Sequence, residues 1–192
     1  MFKYVTAALS LTPLTAAVPT LSARDELPDF NKLLSPEELA DVIASSEPGT
    51  FGILGTSINN ITDPNHLFKR EPGTFCKQDL AQLFCETSDA SPFILDCFYM
   101  YNLLMSRQEE WDIAVAMGSR TFAWANSCCF EMTNLEYLYT AYVGGGDVAK
   151  LDERIINTCG SNGKVGGWGR IGCPIRGTPS GGVALSYSFY HC

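Results

Sequence analysis

The sequence is poor in histidine: of its 192 residues, only His66 and His191 carry an imidazole. A serine-type catalytic triad needs a histidine base held between the nucleophile and a carboxylate. In the cysteine-rich part of the chain only His191 remains for that role, next to the last residue. No Cys-x-x-C pair occurs either, although structural zinc sites ordinarily use such closely spaced ligands. These absences argue against serine-hydrolase chemistry and against a structural zinc ion.

Long apolar runs are absent as well. A bilayer-spanning helix requires roughly 18 to 20 apolar residues in succession, and no part of the chain reaches that length. A shorter apolar run at residues 5–14 follows Lys3 and leads into small residues at 15–17. A positive start, a short apolar core and a small-residue end are typical of a secretory signal peptide. We therefore predict a signal peptide at residues 1–17, a secreted, extracellular protein and no stable membrane insertion.

Clusters of positive charge are missing too. The chain has a formal charge of −8, and residues 71–192 carry 13 acidic and 8 basic side chains. Nucleic-acid binding relies on basic patches that neutralise phosphates, so nucleic acid is not an expected partner. For the same reason the chain has no electrostatic attraction to anionic lipid.

Cysteine, in contrast, is abundant. An even number of cysteines in a short secreted chain indicates a disulfide framework. The eight residues concerned are Cys76, Cys85, Cys97, Cys128, Cys129, Cys159, Cys173 and Cys192. They can pair in about 105 ways, among which the sequence does not choose. The adjacent Cys128 and Cys129 should point to opposite sides of one strand and therefore bond to different partners.

All eight cysteines lie beyond residue 75, which divides the chain in two. Residues 18–70 are rich in proline and polar pairs, and we predict a largely unstructured propeptide there. The dibasic pair Lys69 and Arg70 closes this segment and resembles a furin-like or fungal Kex-type processing site. Cleavage would leave residues 71–192 as a disulfide-stabilised mature domain. The glycosylation sequon at Asn60 falls inside the propeptide.

One short helix is predicted within the propeptide. Ser35 can cap its start, Pro36 suits the first helical position, and Glu38 completes a capping box. A longer helix is predicted to start at Ser91, which can cap it, with Pro92 at the first helical position. Its apolar face would carry Ile94, Phe98, Tyr101 and Met105.

A last helix is predicted after the glycines at 144–146, with Asp147 as its N-cap and Gly160 just beyond its end. Further strand signals surround residues 111–117, 122–124, 128–133 and 164–173. Apolar residues alternate most clearly at Val183, Leu185, Tyr187 and Phe189. Together these elements predict a small disulfide-rich α+β sandwich, in which two helices pack on one face of an antiparallel sheet.

The acidic residues do not point to a specific reaction. Glycoside hydrolysis needs two opposed carboxylates, whereas Glu109, Glu110 and Asp112 are neighbours in a run typical of a solvated turn. Asp96 and Asp147 lie in or at predicted helices, where dipole and capping roles explain them. Folding can bring distant carboxylates together, so a secreted hydrolase stays an alternative. We expect a non-enzymatic protein that uses no cofactor and no metal.

The stretch at 84–97, Phe-Cys-Glu-Thr-Ser-Asp-Ala-Ser-Pro-Phe-Ile-Leu-Asp-Cys, resembles the fungal secreted effector family called extracellular protein two, known as necrosis-inducing factors. The similarity continues in order over most of residues 76–173. The matching positions are Cys76, Phe84, Ser91, Pro92, Asp96, Cys97, Trp111, Cys128, Phe130, Val143, Asp147, Val165, Gly166, Gly169 and Cys173. The other four cysteines exceed the family pattern, and the glycine-rich sequence after Cys173 is longer than in that pattern.

This resemblance implies an apoplastic fungal protein that provokes or modulates the death of host plant tissue. It carries over no catalytic residue and no target, so the partner stays an unknown surface component of a host plant or a competing fungus. The order of helices and strands is also similar to that of αβ-sandwich fungal killer toxins, which makes antifungal activity a second hypothesis. We expect surface recognition, with candidate contacts among exposed aromatic residues near Trp168 or from Tyr187 to Tyr190.

Overall fold

The computed structural model describes residues 27–54, 73–78, 81–107, 109–114, 118–136, 138–175 and 178–192. The predicted signal peptide at 1–17, the sequon at Asn60 and the pair Lys69 and Arg70 lie outside the described residues. The three helices of the described part are α1 Pro36–Ser45, α2 Ile94–Met105 and α3 Gly145–Cys159. Its strands are β1 Phe51–Ile53, β2 Gln82–Cys85, β3 Glu110–Ile113, β4 Arg120–Ala125, β5 Cys128–Asn134, β6 Ala141–Gly144, β7 Gly167–Ile175 and β8 Thr178–His191.

The strands form one antiparallel sheet in the order β1-β4-β5-β8-β7-β6-β3, and β2 also pairs with β7. The sheet is curled, because its two ends come together. Trp111 of β3 donates its indole N–H to the carbonyl oxygen of Leu54, just after β1, at 3.0 Å. The same indole packs edge-on against Phe122 of β4, with ring centroids 5.5 Å apart.

The core is formed by buried residues of the helices and of the sheet. The residues that alternate along β8, Val183, Leu185, Tyr187 and Phe189, are all buried, as their period predicts. Helix α2 packs against α3 and against β4 and β5, while α3 contacts β2 and β6. The small disulfide-rich α+β class is therefore confirmed, with α1 as a third helix. In the part of the chain that the structure describes, no helix has both the length and the apolar character needed to cross a membrane.

Four disulfides hold the cysteine-rich region together. They are Cys76–Cys173, Cys85–Cys159, Cys97–Cys128 and Cys129–Cys192. The prediction for the adjacent pair is confirmed, since Cys128 bonds to α2 and Cys129 to the residue that follows β8.

The helix starts differ from the sequence prediction. Helix α2 has Phe93 as its N-cap and begins at Ile94. Ser91 lies outside it, and its hydroxyl accepts a hydrogen bond from the backbone N–H of Ser88. Ser91 does not cap the helix, because a tertiary contact competes with that arrangement. The backbone N–H of Val165 donates to the carbonyl of Pro92, which keeps this backbone extended.

Helix α3 starts earlier than predicted. Gly144 is the N-cap, and Asp147 is the third helical residue rather than the cap. Its carboxylate reaches back to accept from Gly144 N at 3.0 Å. This is the acidic half of a capping box, which needs the carboxylate at the third position.

The cysteine-free segment is more ordered than its composition indicates. The predicted capping box of α1 is confirmed: Glu38 N donates to the Ser35 hydroxyl at 3.2 Å, and Ser35 N donates to Glu38 at 2.8 Å. Leu39 and Ile53 are fully buried in the common core. Residues 27–54 thus depart from the expectation of a largely unstructured 18–70 segment, because their apolar side chains pack against α2 and the sheet.

Candidate functional site

The outer face of the sheet presents an aligned row of side chains that does not belong to the core. Strand registers place Phe84 opposite Trp168, Trp168 opposite Ser188, Ser188 opposite Glu131, and Glu131 opposite Thr121. Because facing residues in antiparallel strands lie on the same side, these five residues run across β2, β7, β8, β5 and β4. We call them the Trp168 row.

Trp168 is held rigidly within this row. Its ring stacks on that of Phe84, with centroids 4.5 Å apart and planes 27° from parallel. Its indole N–H donates to Glu86 Oε1 at 2.8 Å. Phe84 itself is 47% exposed. An aromatic pair with one satisfied polar group and an open side offers apolar contact area at small entropic cost.

Two shallow depressions flank Trp168, with volumes of about 240 and 210 Å³. Trp168 and Ser188 line both of them. The first also includes Glu86, Tyr190 and His191, and the second includes Glu131, Thr133 and Ser186. Enclosed sites for drug-sized molecules span about 300–1,000 Å³. The surface is therefore suited to contact with an extended partner rather than to enclosure of a small one.

Hydroxyl groups organise the polar half of the row. Glu131 accepts from Ser188 at 2.8 Å and from Ser119 at 2.5 Å, one bond on each carboxylate oxygen. Thr121 and Tyr190 hydrogen-bond through their hydroxyls. A carboxylate has about four acceptor positions, so Glu131 keeps acceptor capacity for a ligand.

The candidate aromatic contacts divide between surface and core. Trp168 and Tyr190 are partly exposed, whereas Tyr187 and Phe189 are buried. The Tyr187 hydroxyl passes beneath Gly169 to donate to the carbonyl of Gln82 at 2.5 Å. A Cβ at Gly169 would lie 2.0 Å from that carbonyl oxygen, so only glycine leaves room for this contact.

Phe84 and Glu131 were not singled out from the sequence. Phe84 entered only as a family position, and Glu131 as part of a strand. Neither residue carries a local signal for a surface role, because the alignment with Trp168 depends on strand register. Phe84 precedes Trp168 in the sequence by 84 positions and Glu131 precedes it by 37.

The acidic residues weighed for hydrolysis are engaged in structural contacts. Asp147 is fully buried and accepts from the backbone N–H groups of Phe75 and Cys76 at 2.9–3.0 Å. Asp96 accepts from the side chain and backbone N–H of Ser127, at the turn between β4 and β5. Glu110 accepts from the Tyr142 hydroxyl, and Glu109 lies 3.9 Å from Arg107. Among the described residues, no cluster of His, Cys, Asp and Glu could hold a metal ion.

One buried acid has a different character. Asp152 of α3 is fully buried, and neither of its carboxylate oxygens has a hydrogen-bond partner among the described residues. Burial, and secondarily the charge of Glu153, raises the pKa of Asp152 well above its ordinary value. The apolar periodicity of α3 did not identify Asp152, because a charged residue of an amphipathic helix is expected on the side that faces solvent.

Comparison with known families adds one finding. The model of the Hce2 family, described as "Pathogen effector; putative necrosis-inducing factor", matches residues 75–173. This range includes α2, α3, the strands from β2 to β6 and most of β7. It ends before β8, which supplies Ser188 to the Trp168 row. No curated protein matches the chain.

Proposed function

We propose that this chain, which belongs to the Hce2 family of pathogen effectors, is a secreted protein acting on host plant tissue by binding rather than by catalysis. The Trp168 row is the observation that carries the binding part of this proposal. It combines a rigid aromatic pair with a hydrogen-bonded carboxylate on the solvent side of the sheet. Such mixed apolar and polar surfaces are typical of recognition sites.

The disulfides support this assignment, because they constrain the strands that carry the row. Cys85–Cys159 ties β2 to the end of α3, and Cys129–Cys192 ties β5 to the residue after β8. Cys76–Cys173 anchors β7. A surface that is ordered before binding loses less conformational entropy when a partner docks. The same bridges suit an oxidising extracellular compartment.

Maturation is part of the proposal. The signal peptide at residues 1–17 is removed on secretion, and a dibasic-specific protease cuts after Arg70. Residues 71–192 then form the disulfide-linked effector domain, and any glycan at Asn60 stays on the propeptide. The partner is a surface component of the host plant.

Leaf infiltration tests the proposal. Purified oxidised protein should cause local cell death, and Trp168→Ala should raise the dose required by roughly tenfold or more, as loss of a central aromatic contact does. Tyr139→Ala is the matched control, since Tyr139 is 52% exposed and lies outside the row. Near-wild-type circular dichroism and the absence of free thiols would show that both variants fold.

A second variant separates loss of contact from loss of packing. Ser188→Arg leaves Trp168 in place but sets a bulky charge where the two depressions meet. If Trp168→Ala and Ser188→Arg both retain full activity, the row is not the recognition surface. The same proteins applied to fungal lawns would distinguish action on plants from antifungal toxicity.

Catalysis has its own test. Glycoside hydrolysis requires carboxyl groups at the reacting bond. Glu86 and Glu131 line the two depressions, so a glycoside hydrolase acting at this face would use one or both of them. Release of reducing sugar from plant cell walls that is abolished by Glu131→Gln would replace binding with hydrolysis as the mechanism. Cell death that persists in Glu131→Gln without sugar release would support binding.

A further inference from the structure

The N-terminal segment at residues 27–54 is attached to the fold without any disulfide. All eight cysteines lie at position 76 or beyond, and all four bridges join residues of that region. Residues 27–54, which we call the cover, consist of α1, β1 and their flanking turns. In the part of the chain that the structure describes, packing and hydrogen bonds hold them against the rest of the fold.

The cover completes the edge of the sheet at β4. Phe51 lies opposite Ala125, Gly52 opposite Trp124, and Ile53 opposite Ala123. Hydrogen bonds extend this pairing beyond the strand at both ends: Asn126 N donates to Thr50 O at 2.7 Å, and Leu54 N donates to Phe122 O at 2.9 Å. Without β1, the backbone groups of β4 on this side would form an open strand edge, which is a ready template for another chain.

Side-chain contacts at this edge are selective. Phe51 and Ile53 are buried in the core, whereas Gly52 lies directly under the indole of Trp124. A Cβ at position 52 would lie 2.1 Å from a ring carbon of Trp124, so any side chain there must push the indole aside. Trp124 is also held by donating its N–H to Gly49 O at 3.0 Å. The edge therefore accepts an apolar residue, then glycine, then an apolar residue.

A second contact anchors the cover on α2. Phe30 packs edge-on against Phe98 and Tyr101, with centroids 5.4 and 4.8 Å apart. The backbone N–H of Leu34 donates to the buried Asn102 side chain at 2.8 Å. The cover thus hides one strand edge and one aromatic patch of the disulfide-linked domain.

The dibasic pair Lys69 and Arg70 follows the cover in the sequence. A cut after Arg70 would sever its only covalent link to residues 71–192. The part of the chain that leaves is then the part that occupies the β4 edge.

We infer that the β4 edge is a strand-accepting site, occupied by residues 47–54 in the precursor and available after cleavage to an extended peptide segment of a partner. This inference rests on the proposed cleavage after Arg70. The cover itself specifies the partner chemistry: an antiparallel strand with glycine between two apolar residues. Addition of a strand to a sheet edge is an established mode of peptide recognition, with backbone bonds giving affinity and alternate side chains giving specificity.

The test uses the full secreted chain before and after cutting with a Kex-type protease. The probe is a fluorescent synthetic peptide of residues 47–54, Glu-Pro-Gly-Thr-Phe-Gly-Ile-Leu. We expect saturable binding to the cut protein, measured by fluorescence anisotropy, and none to the uncut chain. A peptide carrying Gly52→Ala should bind at least about tenfold more weakly. Cut Trp124→Ala protein should bind the Gly52→Ala peptide better than cut wild type does, because removal of the indole makes room for the Cβ.

Three outcomes would overturn the inference. The cut protein could retain its cover and exclude the probe, or bind the peptides with and without Gly52→Ala equally, or unfold. Retention of the cover or unfolding would mean that residues 27–54 are a permanent part of the structure, whereas equal binding would mean that the peptide does not occupy the position of β1 under Trp124. If the Kex-type protease leaves the chain intact, the proposed maturation fails, and a specific protease site engineered in place of Lys69 and Arg70 still tests the β4 edge. Loss of leaf activity with normal peptide exchange would contradict only the effector proposal.

Discussion

The indole N–H of Trp111 and the carbonyl oxygen of Leu54 form a 3.0 Å hydrogen bond between the two ends of the curled sheet. Leu54 follows β1, the first strand in the sheet order, and Trp111 lies on β3, the last strand. The bond also joins the cysteine-free segment to the disulfide-linked region. It therefore connects the parts of the protein that the proposed cleavage would separate.

Trp111→Phe should lower the free energy of unfolding by about 1–3 kcal/mol, because it removes a buried ring portion and leaves the Leu54 carbonyl without this donor. Urea unfolding measures the change. Trp124→Phe makes the same chemical substitution at a partly exposed indole that bonds to Gly49 O, and should cost less. Equal decreases in the free energy of unfolding for the two variants would mean that the Trp111–Leu54 bond stabilises the fold no more than the Trp124–Gly49 bond does.

Asp147→Asn should destabilise the fold by roughly 2–3 kcal/mol, because a buried carboxylate that accepts several N–H bonds is replaced by a group with one acceptor oxygen. Asp147 accepts from Phe75 N, Cys76 N, Gly144 N and Gln78 Nε2. Asp89→Asn, on an exposed loop, is the control and should leave the urea midpoint unchanged. A midpoint for Asp147→Asn as high as that of the control would contradict a structural role for this carboxylate.

Asp152 should make stability depend on pH. Burial raises the pKa of Asp152 well above the ordinary value. At pH values between the unfolded and the folded pKa, the folded protein therefore keeps a proton that the unfolded chain has released. The contribution of Asp152 to the free energy of unfolding is therefore largest at acidic pH and falls as pH rises above the ordinary carboxyl pKa, by about 1.4 kcal/mol per pH unit until the folded pKa is reached.

Asp152→Asn removes that dependence. The variant should gain stability over wild type as pH rises from about 4, the ordinary carboxyl pKa, toward neutral pH, and the two proteins should converge at the acidic end. Urea unfolding of both proteins across this pH range measures the difference. A difference that stays constant with pH would show that Asp152 has the same pKa in the folded and unfolded states.

The four disulfides should be reduced in an order set by access. Thiol–disulfide exchange requires a reductant to reach a sulfur atom. Cys85 and Cys192 are exposed residues, whereas Cys97 and Cys128 are fully buried. Under mild dithiothreitol, Cys97–Cys128 should therefore be the last bridge to open, as followed by alkylation and peptide mass mapping. Early labelling of Cys97 would indicate that α2 separates from β5 more readily than its packing suggests.

Local patterns that predicted structure correctly did so because their cause is local. The Ser35 and Glu38 capping box needs only the geometry of one helical turn, and it forms as predicted. The alternation of Val183 and Leu185 in β8 follows from the pleat of a single strand. The separate bonding of Cys128 and Cys129 has the same origin.

Predictions that depended on distant contacts were incomplete or wrong. The helix expected at Ser91 and Pro92 begins at Ile94, because the Pro92 carbonyl pairs with Val165. The three-residue β1 was not predicted, since its burial comes from pairing with β4 rather than from any period of its own. Asp147 was expected to cap a helix, but it also binds the backbone of residues that lie more than seventy positions earlier.

The sequence by itself determined a disulfide-rich α+β protein, the strand at 183–189, the short helix after Ser35 and the membership in an effector family. Composition, cysteine content and short-range periodicity carry that information. Only the tertiary structure decided the four disulfide pairs, the alignment of Phe84 and Glu131 with Trp168, and the position of Gly52 under Trp124. These features depend on strand register and chain crossing, and residues far apart in sequence acquire such relationships only when the whole core packs.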